Sequence, residues 1–299
     1  MKRTLSGMEA FGKMLATEIP EKTKTYTPIS YMSIITRIKH EITNSGFKIL
    51  DETYRCSSDG SVGLGSIMIN YKEDPDVFLA LSFTNSYNKQ FAFKFSLGAV
   101  DKETSSNFIM NNEKFGLFKR KHKGTADVLA EGKIQEFLTG ADEYWTALID
   151  SKDAFKDTIL GRKEAQLICA NLFFEKDAIL NTMQLNTIKT MLNVLPSYTH
   201  LSTISLFDLH NVISHALKDS HPSEWLEAQS FLHKELARLA DMKMAALKVQ
   251  EVEDNYEAET IFYEDPVGNT FEVKDDTYRL PTKGEWKKAH VINVTDELP

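Results

Sequence analysis

The fold class is decided by residues 77–100, VFLALSFTNSYNKQFAFKFSLGAV, which contain two runs typical of β-strands. The first run is almost wholly apolar, and the second alternates so that Phe91, Phe93 and Phe95 share one face. The polar NSYNK between the two runs predicts a tight connection. Together these features predict an antiparallel pair of buried strands.

The sequence before these strands changes from a helical period to a β period. Isoleucines recur at helical spacing within residues 28–46, which predicts an amphipathic helix. Two further strands are predicted at residues 47–56 and 66–72, joined by a glycine-bearing turn at residues 57–65. The helix is therefore followed by an antiparallel meander of at least four strands.

The sequence after Gly124 indicates helices, and the predicted fold class is α+β. Candidate helices occupy residues 126–149, 151–160, 163–175, 183–195, 205–218 and 222–248. TIFYEDPVGNTFEV (260–273) then predicts a short C-terminal hairpin around residues 265–269, followed by a tail after Asp275. The predicted regions are a leader without regular structure (1–27), a helix plus antiparallel sheet region (28–124), a mainly helical region packed on or beside the sheet (125–248), and an acidic hairpin and tail (249–299).

The composition, with 42% hydrophobic and 26% charged residues, is typical of a globular protein. No apolar run approaches the roughly 18 residues of a membrane span, and the N-terminus lacks the apolar core of a secretory signal. The two cysteines, Cys56 and Cys169, lie far apart in the sequence, which disfavours disulfides and zinc sites. We therefore expect a cytoplasmic protein in a reducing compartment.

The net charge of −8 is distributed unevenly along the chain. Residues 1–125 contain 18 Lys and Arg against 13 Asp and Glu, a balance of +5. Residues 126–299 contain the remaining 17 against 30, a balance of −13. Such asymmetry indicates an anionic partner for the first half and a solvated or partner-facing role for the second.

The sequence contains no motif of a catalytic, metal or cofactor site. Residues 60–65, GSVGLG, lack the Lys-Ser/Thr ending of a phosphate-binding loop and precede a strand, so they predict a hairpin turn. Asp51–Glu52 and Asp74–Asp76 are interpreted as solvated carboxylates, and both cysteines as buried thiols. His200, His210, His215, His221 and His233 lack the spacing of a helical metal pair and are interpreted as surface or capping residues. No catalytic residue, metal ligand or cofactor is predicted.

A basic run with interleaved aromatic residues, KFGLFKRKHKG (114–124), is the candidate binding segment. Clustered cations neutralise phosphates, and neighbouring aromatic rings, with Tyr87 as a further candidate, stack on unpaired bases. The alternative is an edge strand whose lysines prevent aggregation between sheets. The predicted nucleic-acid-binding residues are Lys114, Phe115, Phe118, Lys119, Arg120, Lys121, His122 and Lys123.

Three segments together carry a resemblance to a known family. They are SFTNSYNKQFAFKFSLGAV (82–100), NFIMNNEKFGLFKRKHKGTAD (107–127) and SLFDLHNVISHALKDSHPSEW (205–225). Their shared motifs are an Asn-Ser step, Asn residues before a basic His-containing run, and an Ala-Leu-Lys helix shortly before His-Pro and a Trp. In these the chain resembles the phage- and plasmid-borne domain of unknown function 932 over about residues 27–239. The polar residues of the motifs are Asn85, Ser86, Asn111 and Asn112.

The chain departs from the family pattern at two places, which disfavours a thiol-based role. Met110 or Asn111 stands where a Cys is expected, and His215 stands where a Thr or Glu is usual. The resemblance implies a protein of a bacteriophage or mobile element in a bacterial cytoplasm. Genes of this type serve DNA replication or recombination, or act against host defence.

Three functional hypotheses remain open from the sequence. The first is a protein that binds nucleic acid, in particular single-stranded DNA, without catalysis and supports replication or recombination. The second is a protein-interaction module that inhibits a host defence system, and the third is an enzyme whose site gathers residues distant in sequence. The expected partners are nucleic acid or a host protein and no membrane, with homo-oligomerisation left open.

Overall fold

The computed structural model describes residues 4–110, 116–175, 177–254, 261–264 and 270–273. The protein is 51% helical and 21% strand, which confirms the predicted α+β class. The first elements are β1 (Thr4–Ser6), α1 (Gly7–Ala16), α2 (Tyr31–Asn44), β2 (Ile49–Ser57), β3 (Val62–Ile69), β4 (Val77–Ser86), β5 (Phe93–Asp101), β6 (Asn107–Phe108) and β7 (Phe118–Arg120). The later elements are α3 (Ala126–Thr139), α4 (Ala141–Asp157), β8 (Ile159–Gly161), α5 (Arg162–Phe174), α6 (Thr182–Leu192), a π-helical turn (Ser197–Leu201), β9 (Thr203–Ser205), α7 (Leu206–Leu217), α8 (Pro222–Asp254), β10 (Ile261–Glu264) and β11 (Thr270–Val273).

The main sheet is the predicted antiparallel meander. Strands β1 to β6 are hydrogen-bonded to one another in chain order, and β7 pairs with β5 as well. Strand β6 pairs with the end of β5 at Ala99 and Val100, whereas β7 pairs with its beginning at 93–95. The basic run therefore starts at the edge of the sheet, beside the strand with the phenylalanine pattern.

One face of the sheet forms the main core with the helices. Ile34, Ile38 and Ile42 of α2 are buried in the same hydrophobic cluster as Ile67 and Leu81 of the sheet. The helical spacing of the isoleucines causes this, because residues three and four apart share one face of a helix. The cluster also contains residues of α3 to α8, so the helical region packs on the sheet.

The opposite face of the sheet is also covered. Leu64 of β3 and Ile109 pack with Trp225 and Leu226 from the first turns of α8. Sheet and helices together form a first compact unit, Met1–Lys243, and a second unit comprises Met244–Pro299.

The glycines assigned to a turn belong in part to strand β3. Gly63 and Gly65 lie on the core face of the sheet, where a Cβ at Gly65 would stand 2.5 Å from the Phe83 ring. A Cβ at Gly63 would stand 2.7 Å from the Tyr31 ring. The turn prediction is therefore wrong for residues 62–65, because these glycines make space for aromatic rings rather than for a bend.

Two other predictions also need correction. Residues 4–16 of the predicted leader form β1 and α1, and α1 buries Ala10 and Met14 in the main core. The helices predicted at 126–149 and 151–160 are instead α3 and α4, which meet at Gly140, whose low helical propensity suits a break; residues 159–160 belong to β8. The new direction of α4 lets the Tyr144 hydroxyl donate to the Leu97 carbonyl at 2.8 Å.

The predicted C-terminal hairpin is confirmed in its strands. Strands β10 and β11 pair antiparallel, with Ile261 opposite Val273 and Glu264 opposite Thr270. The connection at 265–269 and the predicted tail lie outside the described residues. Among the described residues, no helix is both long enough and apolar enough to cross a membrane.

We expect the substitution Gly65→Ala to destabilise the protein by about 1–3 kcal/mol, because the added methyl group overpacks the core against Phe83 and Tyr54. The matched control is Gly132→Ala in α3, where a Cβ meets no atom within 4 Å. This control should stabilise the protein by about 0.5–1 kcal/mol, since Ala favours a helix over Gly. Urea unfolding of the three proteins measures both changes. Equal stability of the Gly65→Ala variant and the wild type would contradict the packing described here.

Candidate nucleic-acid interface

The basic run alternates between buried and exposed side chains. Phe118 and Arg120 lie opposite Phe95 and Phe93 in the β5–β7 pair, on the core face of the sheet. Phe118 is half-buried, with its ring centroid 6.3 Å from that of Phe93. The predicted stacking residue Phe118 is therefore packed on the sheet.

Lys119 is not a free cation. Its Nζ lies 2.6 Å from one oxygen of Glu227, and the Nζ of Lys94 lies 2.8 Å from the other. Lys94 is almost fully buried and also donates to the carbonyl of Ser223 at 2.8 Å. Burial raises the pKa of Glu227, but the hydrogen bonds from Lys119 and Lys94 outweigh this and lower it. The two lysines thus hold the first turns of α8 on the sheet.

His122 is a buried anchor rather than a surface cation. Only 6% of it is exposed, and its ring centroid lies 5.4 Å from that of Tyr26. Its carbonyl accepts a hydrogen bond from the Thr27 amide at 2.9 Å, and the Thr27 hydroxyl donates to the Gly124 carbonyl at 2.9 Å. Burial is the main cause of a lowered pKa of the His122 imidazole. The ring is therefore neutral at pH 7.

Four exposed lysines surround Tyr26 and His122. Lys121 and Lys123 flank His122, and Lys89 places its Nζ 4.7 Å from the centroid of the Tyr26 ring. Lys24 lies in the turn closed by hydrogen bonds between Thr23 and Tyr26. We call the surface formed by Lys24, Lys89, Lys121 and Lys123 the Tyr26 surface. None of these four forms a salt bridge with a described carboxylate.

The described carboxylates nearest to these lysines along the chain are Glu18, Glu21 and Asp127, and Asp59 is linked to the segment of Lys89 by hydrogen bonds. Glu21 is exposed in the segment that contains Lys24. The carboxylate of Asp59 accepts hydrogen bonds from Ser57 and Ser61, and these lower its pKa. One of these serines, Ser61, accepts a bond from Asn88, beside Lys89. None of these four carboxylates forms a salt bridge with the four lysines among the described residues, and Asp59 already accepts hydrogen bonds from two serines.

Asn85 and Ser86 do not lie in a surface connection, so the predicted tight connection at NSYNK is wrong for these two residues. Both are buried in β4, where Asn85 donates from Nδ2 to the Ile29 carbonyl at 2.6 Å. Tyr87 is also buried, and its hydroxyl accepts a hydrogen bond from the Tyr31 amide at 2.9 Å. These residues fasten the segment before α2 to the sheet, and Tyr87 cannot stack on a base.

The remaining predicted site residues lie outside the description. Lys114, Phe115, Asn111 and Asn112 are not among the described residues.

The other reactive side chains have structural contacts. Cys56 and Cys169 are buried as predicted, and burial raises the pKa of each thiol to about 11. Asp74 and Asp76 are not free solvated carboxylates, since both bind the buried Nζ of Lys152, at 2.6 and 3.0 Å. Among the described residues, no group of three or more His, Cys, Asp or Glu could hold a metal ion.

Two histidines are buried, contrary to the surface interpretation. His210 and His233 both pack against Phe108, at ring distances of 4.6 and 5.0 Å, and His233 contacts the Ser151 hydroxyl at 3.0 Å. Burial lowers the pKa of each to about 3. Sequence reasoning missed them because α7 and α8 bury their positions through contacts between helices. The capping interpretation holds for His221, whose Nδ1 accepts from the Ser223 amide at 3.3 Å.

Comparisons with known proteins found no match: no protein-family model, curated protein or solved structure matches the chain. The resemblance to the domain of unknown function 932 therefore stays a prediction.

We expect the free energy of unfolding to fall as the pH falls from about 6.5, where unfolded histidine takes up a proton, towards about 3. In this window the unfolded chain binds protons that His210 and His233 in the folded protein cannot bind. Each histidine contributes a slope of up to about 1.4 kcal/mol per pH unit. Urea unfolding between about pH 5 and 6.5 avoids most carboxylate titration.

The variant His210→Leu removes one of the two protons, so its slope should be smaller by about 1.4 kcal/mol per pH unit. The control His200→Gln changes an exposed histidine and should leave the slope as in the wild type. An unchanged slope in His210→Leu would show that this ring is not held neutral by burial.

Proposed function

We propose that the protein binds nucleic acid, without catalysis, through the Tyr26 surface. The observation that carries this proposal is the set of four exposed lysines without salt bridges to described carboxylates, grouped around two buried rings. Binding of such a group to phosphates is favourable, because each neutralised phosphate releases counterions. Buried Tyr26 and His122 hold the backbone beneath these lysines, which lowers the cost of ordering them.

The mode of binding that we propose is contact with phosphates. Tyr87 and Tyr26 are buried, and the half-buried ring of Phe118 packs against Phe93. Proteins that bind single-stranded nucleic acid commonly stack bases on exposed aromatic rings, and these residues do not provide such rings. We accordingly expect strong dependence on salt and weak dependence on sequence.

The uneven charge of the chain supports binding of a polyanion at this surface. Residues 126–299 carry a balance of −13, whereas the Tyr26 surface lies in the half with +5. Residues with a positive balance attract a polyanion and residues with a negative balance repel it, so the charge of the chain favours binding within residues 1–125. A role in replication or recombination of a phage or mobile element, in a bacterial cytoplasm, is the setting that we propose for this binding.

The first test is fluorescence anisotropy with a labelled oligothymidine and the variant Lys121→Gln/Lys123→Gln. The logarithm of the association constant falls linearly with the logarithm of the salt concentration. For a single strand, loss of two phosphate contacts should make this slope less steep by about 1.4. The matched control, Lys163→Gln/Lys189→Gln, removes two exposed lysines of α5 and α6 and should bind as the wild type does. No binding at about 50 mM salt, or equal loss in both variants, would contradict the proposal.

A second variant separates binding from stability. Lys89 has a φ of 64°, in the left-handed region that favours glycine. Lys89→Gly should relieve about 1 kcal/mol of backbone strain while it weakens binding. Ser202→Gly, at a φ of 56°, gives the same relief without a change of charge and should leave binding unaltered. Weaker binding in both variants would refute a role for the charge of Lys89.

A further inference from the structure

An apolar groove lies between α5 and α8, in a part of the chain that the proposed nucleic-acid surface does not use. Its cavity volume is about 170 Å³, and it is partly open to solvent. Leu172 and Leu236 are its buried floor, and Ile168, Phe231 and Leu239 are its half-buried walls. The groove is therefore lined by leucine, isoleucine and phenylalanine side chains from two helices.

Exposed apolar side chains continue the groove along α5. Leu167 is 62% exposed and Phe174 is 79% exposed, although both are large and apolar. They stand seven residues apart, so they lie on one side of the helix together with Asn171, which lines the groove. These two side chains mark out eight of the 13 residues of α5, which is about 12 Å of helix.

The wall on α8 has the same helical period. Phe231, Glu235, Arg238, Leu239 and Met242 occupy positions i, i+4, i+7, i+8 and i+11, and Met242 is 57% exposed. A groove between two helices with apolar side chains on both walls is a typical receptor for an amphipathic helix, whose apolar residues enter at i, i+3, i+4 and i+7. Scattered exposed apolar residues would not have this order.

The polar side chains of the groove are mainly acidic. Its described lining contains the carboxylates of Glu175, Asp177 and Glu235 and a single cation, Arg238. Arg238 lies 3.4 Å from Glu235, so its charge is already shared within the groove. The described lining thus carries a balance of −2, three carboxylates against one guanidinium, and complementary charge selects a basic partner.

We propose that this groove docks a basic amphipathic helix of a partner protein, about three to four turns long. The apolar stripe of the partner enters between α5 and α8, and its lysines or arginines pair with Glu175, Asp177 and Glu235. The proposal is independent of nucleic-acid binding, since it uses neither the lysines of the Tyr26 surface nor their supporting rings.

The probe is a labelled synthetic helical peptide of about 14 residues with leucines at i, i+3, i+4 and i+7 and lysines beside them. A second peptide carries glutamates in place of the lysines, and a third has the same composition with its leucines spread around the helix. We expect saturable binding of the first peptide to the full chain, at least about tenfold tighter than that of the other two. No saturable binding up to about 500 µM, or equal binding of the acidic peptide, would overturn the proposal.

Two variants assign the binding to the groove. Leu167→Lys/Phe174→Lys changes only exposed side chains, so the fold is retained, and it should weaken binding of the basic peptide at least about tenfold. Met183→Lys/Val194→Lys makes the matched change at two other exposed apolar residues and should leave binding unchanged. Equal affinity of the first variant and the wild type would overturn the assignment.

Sedimentation of the full chain distinguishes a partner protein from a second copy. We expect a monomer, because the proposed occupant is not a part of this chain. A dimer that the Leu167→Lys/Phe174→Lys variant dissociates would overturn the proposal in favour of self-association through the groove.

Discussion

Asn85 joins the end of β4 to the segment before α2, and the arrangement of the candidate surface depends on this contact. Its side chain donates to Ile29, and the Tyr31 hydroxyl donates back to the Asn85 carbonyl at 3.2 Å. This pair of bonds fixes residues 26–31 over the sheet, in a buried setting where an unmade hydrogen bond is costly. Tyr26 and Thr27 then hold His122 and Gly124, so the exposed lysines are positioned by a polar contact in the protein interior.

The sheet differs in chemistry between its two covered faces. The face towards α2 is filled by isoleucine, leucine and phenylalanine, as in an ordinary hydrophobic core. The face towards α8 carries buried Ser82, Thr84 and Lys94, with Lys94 paired to Glu227. A buried charge is tolerated only when it is paired and hydrogen-bonded, which makes the contact between α8 and the sheet specific in position.

Sequence reasoning succeeded where local pattern and burial agree. Helix α2 and strand β5 were predictable, because isoleucine spacing and alternating phenylalanines report directly on the face that is buried. Gly63 and Gly65 were misleading, since a glycine that makes space for a ring of another element has the same local signal as one in a turn.

The sequence located the segment that contains the candidate site, but it did not identify which residues form the exposed surface. The alternation of the basic run could have been read from its β period, and it would have separated Lys121 and Lys123 from His122. The contribution of Lys89 could not, because it depends on contact with Tyr26, and that of Lys24 depends on the packing of Tyr26 against His122; both contacts join residues far apart in sequence. The pairing of Lys119 with Glu227 likewise joins residues more than a hundred positions apart. Charge counting along a sequence cannot detect neutralisation of this kind.

The strict alternation of residues 118–123 also limits how this part of the chain can vary in length. Side chains at 118, 120 and 122 are at least half covered, and those at 119, 121 and 123 face solvent. Within β7, an insertion or deletion of one residue would exchange the two sets, since a shift by one turns every side chain of a strand to its other face. Lys119 would then point into the core, and Phe118 and Arg120 away from it. Changes of length in this region are therefore expected in multiples of two, or outside the run altogether.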